Sequence, residues 1–372
     1  MTLQRRTLLG ATLAAPVILR AGGAFAQART VRVAVAGPIT GSNATFGAQM
    51  RIGAEQATAD LNAAGGVLGQ QIALEVGDDA CDPRQAVSVA NQLAGRQVRA
   101  VFGHFCSSSS IPASKVYTEE GVLQVSPAST NPRYTDEGAW NTFRTCGRDD
   151  QQGAVAGAYI AREFRGKRVA LLHDNSAYGK GLADETKKAL NAAGVQETIY
   201  AAYTPGERDY NAVVARLKAA NIEVIYLGGY HTEAALIVRQ AKEQGMNVTL
   251  IGGDALVTNE FWQISGAAGE GTLMTFSSDP RKRPTAAEVV ARFRARNVDP
   301  EGYVLYTYAA MQIWAAAASR ANSVEPRQVA QSMKANGPWQ TVLGPITFDQ
   351  KGDVTVPDYV FYVWRNGSYA EM

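Results

Sequence analysis

From Val31 onward, short apolar runs alternate with stretches whose apolar residues recur every three or four positions. The runs at 31–36, 72–76, 100–105 and 123–125 have the length and composition of buried strands. Phe46, Met50, Ala54, Ala57 and Leu61 share one face of a helix over 46–62, which Gly65-Gly66 ends. Further helices are expected at 84–95 and 111–120. A second set begins near Gln151, with helices at 151–164, 179–193, 210–220 and 233–244. Its strands are expected at 168–173, 198–202, 224–227 and 248–251. Strands that alternate with helices build a parallel sheet covered on both faces. Two such sets predict two α/β lobes. No Gly-, Ser- or Pro-rich linker separates them, so short strands should join the lobes, which suits a hinge. Toward the C-terminus the pattern changes to helices at 286–296, 304–320 and 326–335. Antiparallel strands at 341–348 and 359–364 follow, around a turn at 349–353, and Asn366-Gly367 is a tight-turn signal.

In open α/β sheets, ligands sit beyond the carboxyl ends of the strands. In the first lobe these ends carry the stretches 37–46, 105–110 and 126–131, rich in glycine and hydroxyl residues. The run VFGHFCSSSS at 101–110 leads straight into a helix, which assembles hydroxyls and free backbone N–H groups where an anion binds well. The second lobe offers Tyr178, Tyr230 and the carboxylate of Asp254. Facing each other across a cleft, the two sets suit a small zwitterion, its carboxylate among the hydroxyls and its ammonium at Asp254. Aromatic rings would cover the remainder.

A length of 372 residues fits two domains. The N-terminus reads as a bacterial export signal of twin-arginine type: Arg5-Arg6, an apolar run at 8–19, and the small-residue site Ala24-Phe25-Ala26. Cleavage after Ala26 removes Arg5, Arg6 and Arg20 and no acid, which turns a net charge of +2 into −1. No basic surplus then remains for nucleic acid. Of three cysteines, Cys81 and Cys106 each follow a predicted strand of one sheet. They are the expected disulfide in an oxidising compartment, with Cys146 left free. His104, His173 and His231 lie singly, without metal-ligand spacing. G-x-S-x-G, G-x-x-x-x-G-K-[ST] and G-x-G-x-x-G are all missing, so no enzyme is expected.

DDACDP at 78–83, GHFCSSS at 103–109, Tyr178-Gly179 before a helix, GGYH at 228–231, and Gly344-Pro345 with Phe348-Asp349 resemble the periplasmic leucine/isoleucine/valine-binding proteins. These are type I solute-binding proteins of ABC importers, and the likeness runs in order from Val31 to Trp364. It implies two doubly wound parallel-sheet lobes joined by a three-strand hinge, residues 27–148 plus 279–356 and residues 149–278 plus 357–372, after the signal at 1–26. It implies the Cys81–Cys106 bridge as well. Carried over by position, Ser107 and Thr130 hold an α-carboxylate with backbone groups of Cys106 and Ala128, beside Ser129. Asp254 and Tyr230 hold the α-ammonium; Phe46, Phe105, Tyr178 and Tyr303 line the side-chain pocket. Ser108, Ser109 and Ser110 are left to cap the helix. Two positions depart from the better-known members: Asp254 stands where Glu is usual, and Phe46 where Tyr or Trp is common. The expected protein is a monomer in the periplasm, without cofactor or metal. It takes up an aliphatic branched-chain L-amino acid and hands it to ABC permease subunits. The alternatives are another small amino acid, an amide or urea as ligand, or a ligand-presenting sensor.

Overall fold

Residues 30–372 are described by the structure, a computed structural model. The expected export signal and its cleavage site lie outside the described residues. The first lobe is built on β1 (Thr30–Gly37), β2 (Gln71–Asp78), β3 (Ala100–Gly103), β4 (Leu123–Ser126) and β5 (Thr142–Arg144). They form one parallel sheet in the order β2-β1-β3-β4-β5. Every residue of β3, β4 and β5 is buried, as expected of strands covered on both faces. The covering helices here are α1 (Ala44–Ala63), α2 (Pro83–Gly95), α3 (Ser107–Glu120) and the single turn α4 (Arg133–Asp136).

The second lobe holds α5 (Asp149–Glu163), β6 (Val169–His173), α6 (Ala177–Ala192), β7 (Ile199–Ala202), α7 (Asn211–Ala219) and β8 (Val224–Gly228). It continues through α8 (His231–Glu243), β9 (Thr249–Gly252), α9 (Asn259–Ser265) and β10 (Leu273–Phe276). The chain then returns to the first lobe with α10 (Ala287–Ala295), α11 (Val304–Ala321) and α12 (Pro326–Ala335). There α11 packs on α1 and beneath β3 and β4, and α12 packs on α11. A small hairpin, β11 (Trp339–Thr341) with β12 (Gly344–Ile346), follows before β13 (Val360–Arg365) and β14 (Ser368–Glu371) complete the second sheet. That sheet runs β14-β13-β10-β9-β8-β6-β7, parallel except for β13 and β14. The chain therefore crosses between the lobes three times: after β5, after β10 and after β12. In both sheets the strand order reverses once, between β1 and β3 and between β6 and β8, and those reversals open the crevices where a ligand sits.

The periodicity locates most elements within two residues. Four differences have physical causes. The segment expected as strand 341–348 is a hairpin of its own, because Gly344 at φ +87° lets the chain reverse after Val342-Leu343. Residues 360–365 pair with β10 and β14 instead. Strands β5 and β10, only three and four residues long, carry no alternation to announce them. Finally, α3 begins at Ser107 rather than 111, with Cys106 at its N-cap. Ser108, Ser109 and Ser110 are thus first-turn residues and not caps. Ser110 Oγ donates to His104 O over 3.1 Å, inside the loop.

A candidate ligand site between the lobes

Two loops of the first lobe meet at the start of α3. Cys106 is tied to Cys81 by a disulfide, Cα to Cα 5.6 Å, which pins the turn before Ser107. The second loop, 126–131, is folded around Ser126, whose Oγ accepts from Ser129 N–H at 2.8 Å and donates to His104 O at 2.7 Å. Ser107 Oγ accepts from Asn131 N–H at 3.2 Å, so its own hydrogen stays free. Thr130 Oγ1 is buried and has no hydrogen-bond partner. Two free hydroxyl hydrogens and the unsatisfied N–H groups of a helix start form a donor-rich wall. Ser129 is not part of it. Its Oγ lies 2.8 Å from Phe105 O and 2.6 Å from Ser110 Oγ, so its hydroxyl is spent on holding the two loops together.

Behind this wall lies a fully buried cation that sequence reasoning did not single out. Arg144 donates to Ser129 O at 2.6 Å, to Asn131 O at 3.1 Å and to Thr135 Oγ1 at 2.7 Å. Its Nε is 2.7 Å from Asp353 Oδ1, on the third crossover, and Arg148 reaches Asp353 Oδ2 at the same distance. Nothing in the local pattern distinguishes this arginine from a surface one; only its position inside a three-residue strand does.

The opposite wall centres on Asp254, which follows β9 and is 3% exposed. Its Oδ1 accepts from Tyr178 OH at 2.8 Å and from Gln152 Nε2 at 3.0 Å, and its Oδ2 accepts from Tyr303 OH. Burial holds the carboxyl above the usual range, and those three donors oppose the shift without cancelling it. Gln152 is itself fixed: its Oε1 accepts from Thr275 Oγ1 at 2.8 Å and from Asp254 N–H at 3.0 Å. Gln152 and its neighbour Asp149, both on α5, also escaped the sequence reading, since neither stands at a strand end.

Aromatic rings close the remaining sides. Phe46 stacks on Phe105 at 4.4 Å, and Tyr303 meets Phe105 edge-on at 5.2 Å. From the second lobe, Tyr230 lies 5.2 Å from Tyr178 and 6.3 Å from Phe105, and His231 packs edge-on against Phe46. The lobes touch directly as well. Asn131 Nδ2 donates to Ala177 O at 2.6 Å, and Thr45 and Thr258 hydroxyls are 3.2 Å apart. A β-carbon at Gly181 would stand 2.4 Å from Asn131 Nδ2, so a larger residue there would push this amide away.

Between the walls is a small cavity lined by Phe105, Ser107, Ala128, Tyr178, Tyr230, Asp254 and Ala255. Of the other expected residues, Tyr303 backs Asp254, Phe46 backs Phe105 and Cys106 precedes Ser107, while Thr130 precedes Asn131, whose N–H donates to Ser107, and does not line the cavity. The cavity offers hydrogen-bond donors on one side, a carboxylate on the other and rings between. Among the described residues no group of His, Cys, Asp and Glu is arranged to hold a metal, and no helix is long and apolar enough to cross a membrane.

Residues 30–368 match the family model described as periplasmic binding protein. The chain is 50% identical over 364 residues to the Leu/Ile/Val-binding protein homolog 1 of Brucella suis, covering 98% of this chain and 97% of that one. Among solved structures, a leucine binding protein from Thermotoga maritima superposes with a TM-score of 0.86 at 27% identity, over 92% of this chain and 98% of that one. The branched-chain amino acid transporter substrate-binding protein of Streptococcus pneumoniae, in complex with isoleucine, gives 0.85 at 25% identity, over 92% and 99%. Two α/β lobes joined by three crossovers, together with these likenesses, place the chain in the periplasmic binding protein family, a family of solute-binding transport proteins and not enzymes, as a close relative of the Leu/Ile/Val-binding proteins.

Proposed function

We propose that this protein, exported and cleaved near Ala26, is the periplasmic substrate-binding component of an ABC importer, and that it closes its lobes on an aliphatic, branched-chain L-amino acid. One observation carries the reading: the Asp254 carboxylate lies across one small cavity from the Ser107 hydroxyl, whose hydrogen is free. That pairing fits an α-ammonium and an α-carboxylate on one carbon. The rings of Phe105, Tyr178 and Tyr230 leave an apolar space for the side chain.

The mechanism is a shift of the hinge equilibrium. The ligand touches both lobes, so it stabilises the closed arrangement in which Asn131 meets Ala177 and Thr45 meets Thr258. The closed two-lobe surface is then what the permease subunits recognise, and the protein acts as a monomer without a cofactor. A thermal-shift screen of the mature protein over L-amino acids, amides and urea tests this. A ligand at about 100 times its dissociation constant stabilises by about 2.7 kcal/mol. Leucine, isoleucine and valine should give the largest shifts. A larger shift with an amide or urea would move the ligand class away from amino acids.

A further inference from the structure

One contact between the lobes lies beside the ligand cavity. Asn131 ends the 126–131 loop of the first lobe, and its Nδ2 donates to Ala177 O of the second lobe at 2.6 Å. The amide points one way only, because its Oδ1 accepts from Arg133 N–H at 2.9 Å while its Nδ2 faces a carbonyl. Its backbone is held as firmly. The N–H donates to Ser107 Oγ at 3.2 Å, and the carbonyl accepts from Arg144 and from Tyr134 N–H. The residue is buried and fixed on three sides, so little freedom is lost when the bond across the cleft forms.

The second lobe leaves room for it. Ala177 is the first residue of α6, and its carbonyl also faces the helix's own N–H one turn on, at Gly181. Among the described residues, the Asn131 side chain is all that a β-carbon at Gly181 would meet beyond its own helix. Gly181 has no positive φ that would demand glycine. Glycine weakens a helix interior relative to alanine, so the passage of the Asn131 amide is what this position serves.

We propose that Asn131 and Gly181 form a latch between the lobes that stabilises the closed arrangement without touching the ligand. The latch adjoins the cavity on both sides: Ser107 accepts from the Asn131 backbone, Tyr178 follows Ala177, and both line the cavity. Asn131 is thus a positioning residue of the ligand site described above, on which reading this rests. Because the contact uses no ligand atom, it draws the lobes together in the empty protein as well. The apparent affinity of a site scales with the fraction of protein in the binding-competent state, so losing the latch lowers the affinity for every ligand by one factor.

The test combines calorimetry, stopped-flow kinetics and spin-label distances on the full mature protein, with L-leucine, L-isoleucine and L-valine as probes. Asn131→Ser keeps an acceptor for Arg133 N–H but is too short to cross the cleft. It should weaken binding of all three by one common factor, roughly two- to tenfold, mostly through faster dissociation. Gly181→Ala should give the same loss from the opposite lobe, while its melting temperature without ligand holds or rises. The double variant should lose no more than either single one. Labels at the exposed positions Glu119 on α3 and Lys188 on α6 should show a closed population in the unliganded protein that shrinks in both variants. Factors that differ among the three ligands, losses that multiply in the double variant, an unchanged affinity in Gly181→Ala, or equal distance distributions overturn the proposal. Should Asn131→Ser not fold, Gly181→Ala decides alone. If none of the three amino acids binds, the ligand reading falls, and the unliganded distances still decide the latch.

Discussion

Tyr303 and Asp254 belong to different lobes, and the Tyr303 hydroxyl donates to Asp254 Oδ2 across the cleft. Tyr303 is anchored to α1 through its N–H, which donates to Gln49 Oε1 at 3.0 Å. The bond therefore ties the Asp254 carboxylate to the opposite wall. A hydrogen bond to a charged group contributes about 1.5–3 kcal/mol. Tyr303→Phe keeps the ring packing on Phe105 and Phe276 and should weaken ligand binding about 10- to 100-fold by calorimetry. An unchanged affinity would mean that this contact does not bear on closure.

Arg144 and Asp353 join the loop at 126–131 to the third crossover inside the protein. Removing one partner of a buried pair leaves a charge without compensation and costs about 3–5 kcal/mol. Arg144→Met should lower the denaturant midpoint accordingly, with the Arg148 contact to Asp353 keeping the loss near the lower figure. It should also weaken ligand binding, because the Ser129 and Asn131 carbonyls lose their common donor.

The same network predicts a pH dependence. Hydrogen bonds from Arg148, and then Lys351, hold the Asp136 carboxyl down at about 2 against an ordinary 3.8, while partial burial opposes them. A carboxyl depressed in the folded state adds stability above its unfolded value. That stability is lost as pH falls from about 4 toward 2. Asp136→Asn lacks this contribution, so it should be less stable than wild type at neutral pH and should lose less between those two values. Denaturant midpoints followed by circular dichroism should therefore converge as the pH approaches about 2. A gap between the two proteins that stays constant across the window would rule out the linkage.

The Cys81–Cys106 bridge spans 25 residues of sequence and fixes the turn into α3. In the loop-entropy picture such a bridge is worth roughly 3 kcal/mol. Reduction, or Cys81→Ser with Cys106→Ser, should lower the melting temperature and weaken ligand binding together. Cys146 is buried, and burial raises its thiol, so thiol reagents should leave it unmodified until the protein unfolds.

Much of this was legible in the sequence because parallel strands buried on both faces are written as plain apolar runs. The strand ends, and with them Ser107, Tyr178, Tyr230 and Asp254, followed from that alternation. Tyr303 entered through family likeness and Thr130 through both. What stayed hidden were the supporting residues. Arg144 sits in a strand too short to show a period, and Gln152 and Asp149 lie on a helix face whose partner is distant in sequence. Ser129 looked like its neighbour Thr130, but hydrogen bonding turns one hydroxyl into the loop and leaves the other free. Such distinctions depend on long-range packing, which no local pattern records.

On the proposed function, one cavity reads both headgroups of an amino acid at once. A calorimetric titration of the mature protein with L-leucine, 3-methylbutylamine and 4-methylpentanoic acid tests it most directly. Each analogue lacks one headgroup and leaves a buried partner unpaired, at a cost of about 2 kcal/mol or more. Leucine should bind, and both analogues should bind at least ~30-fold more weakly. Equal binding of leucine and either analogue would contradict the account.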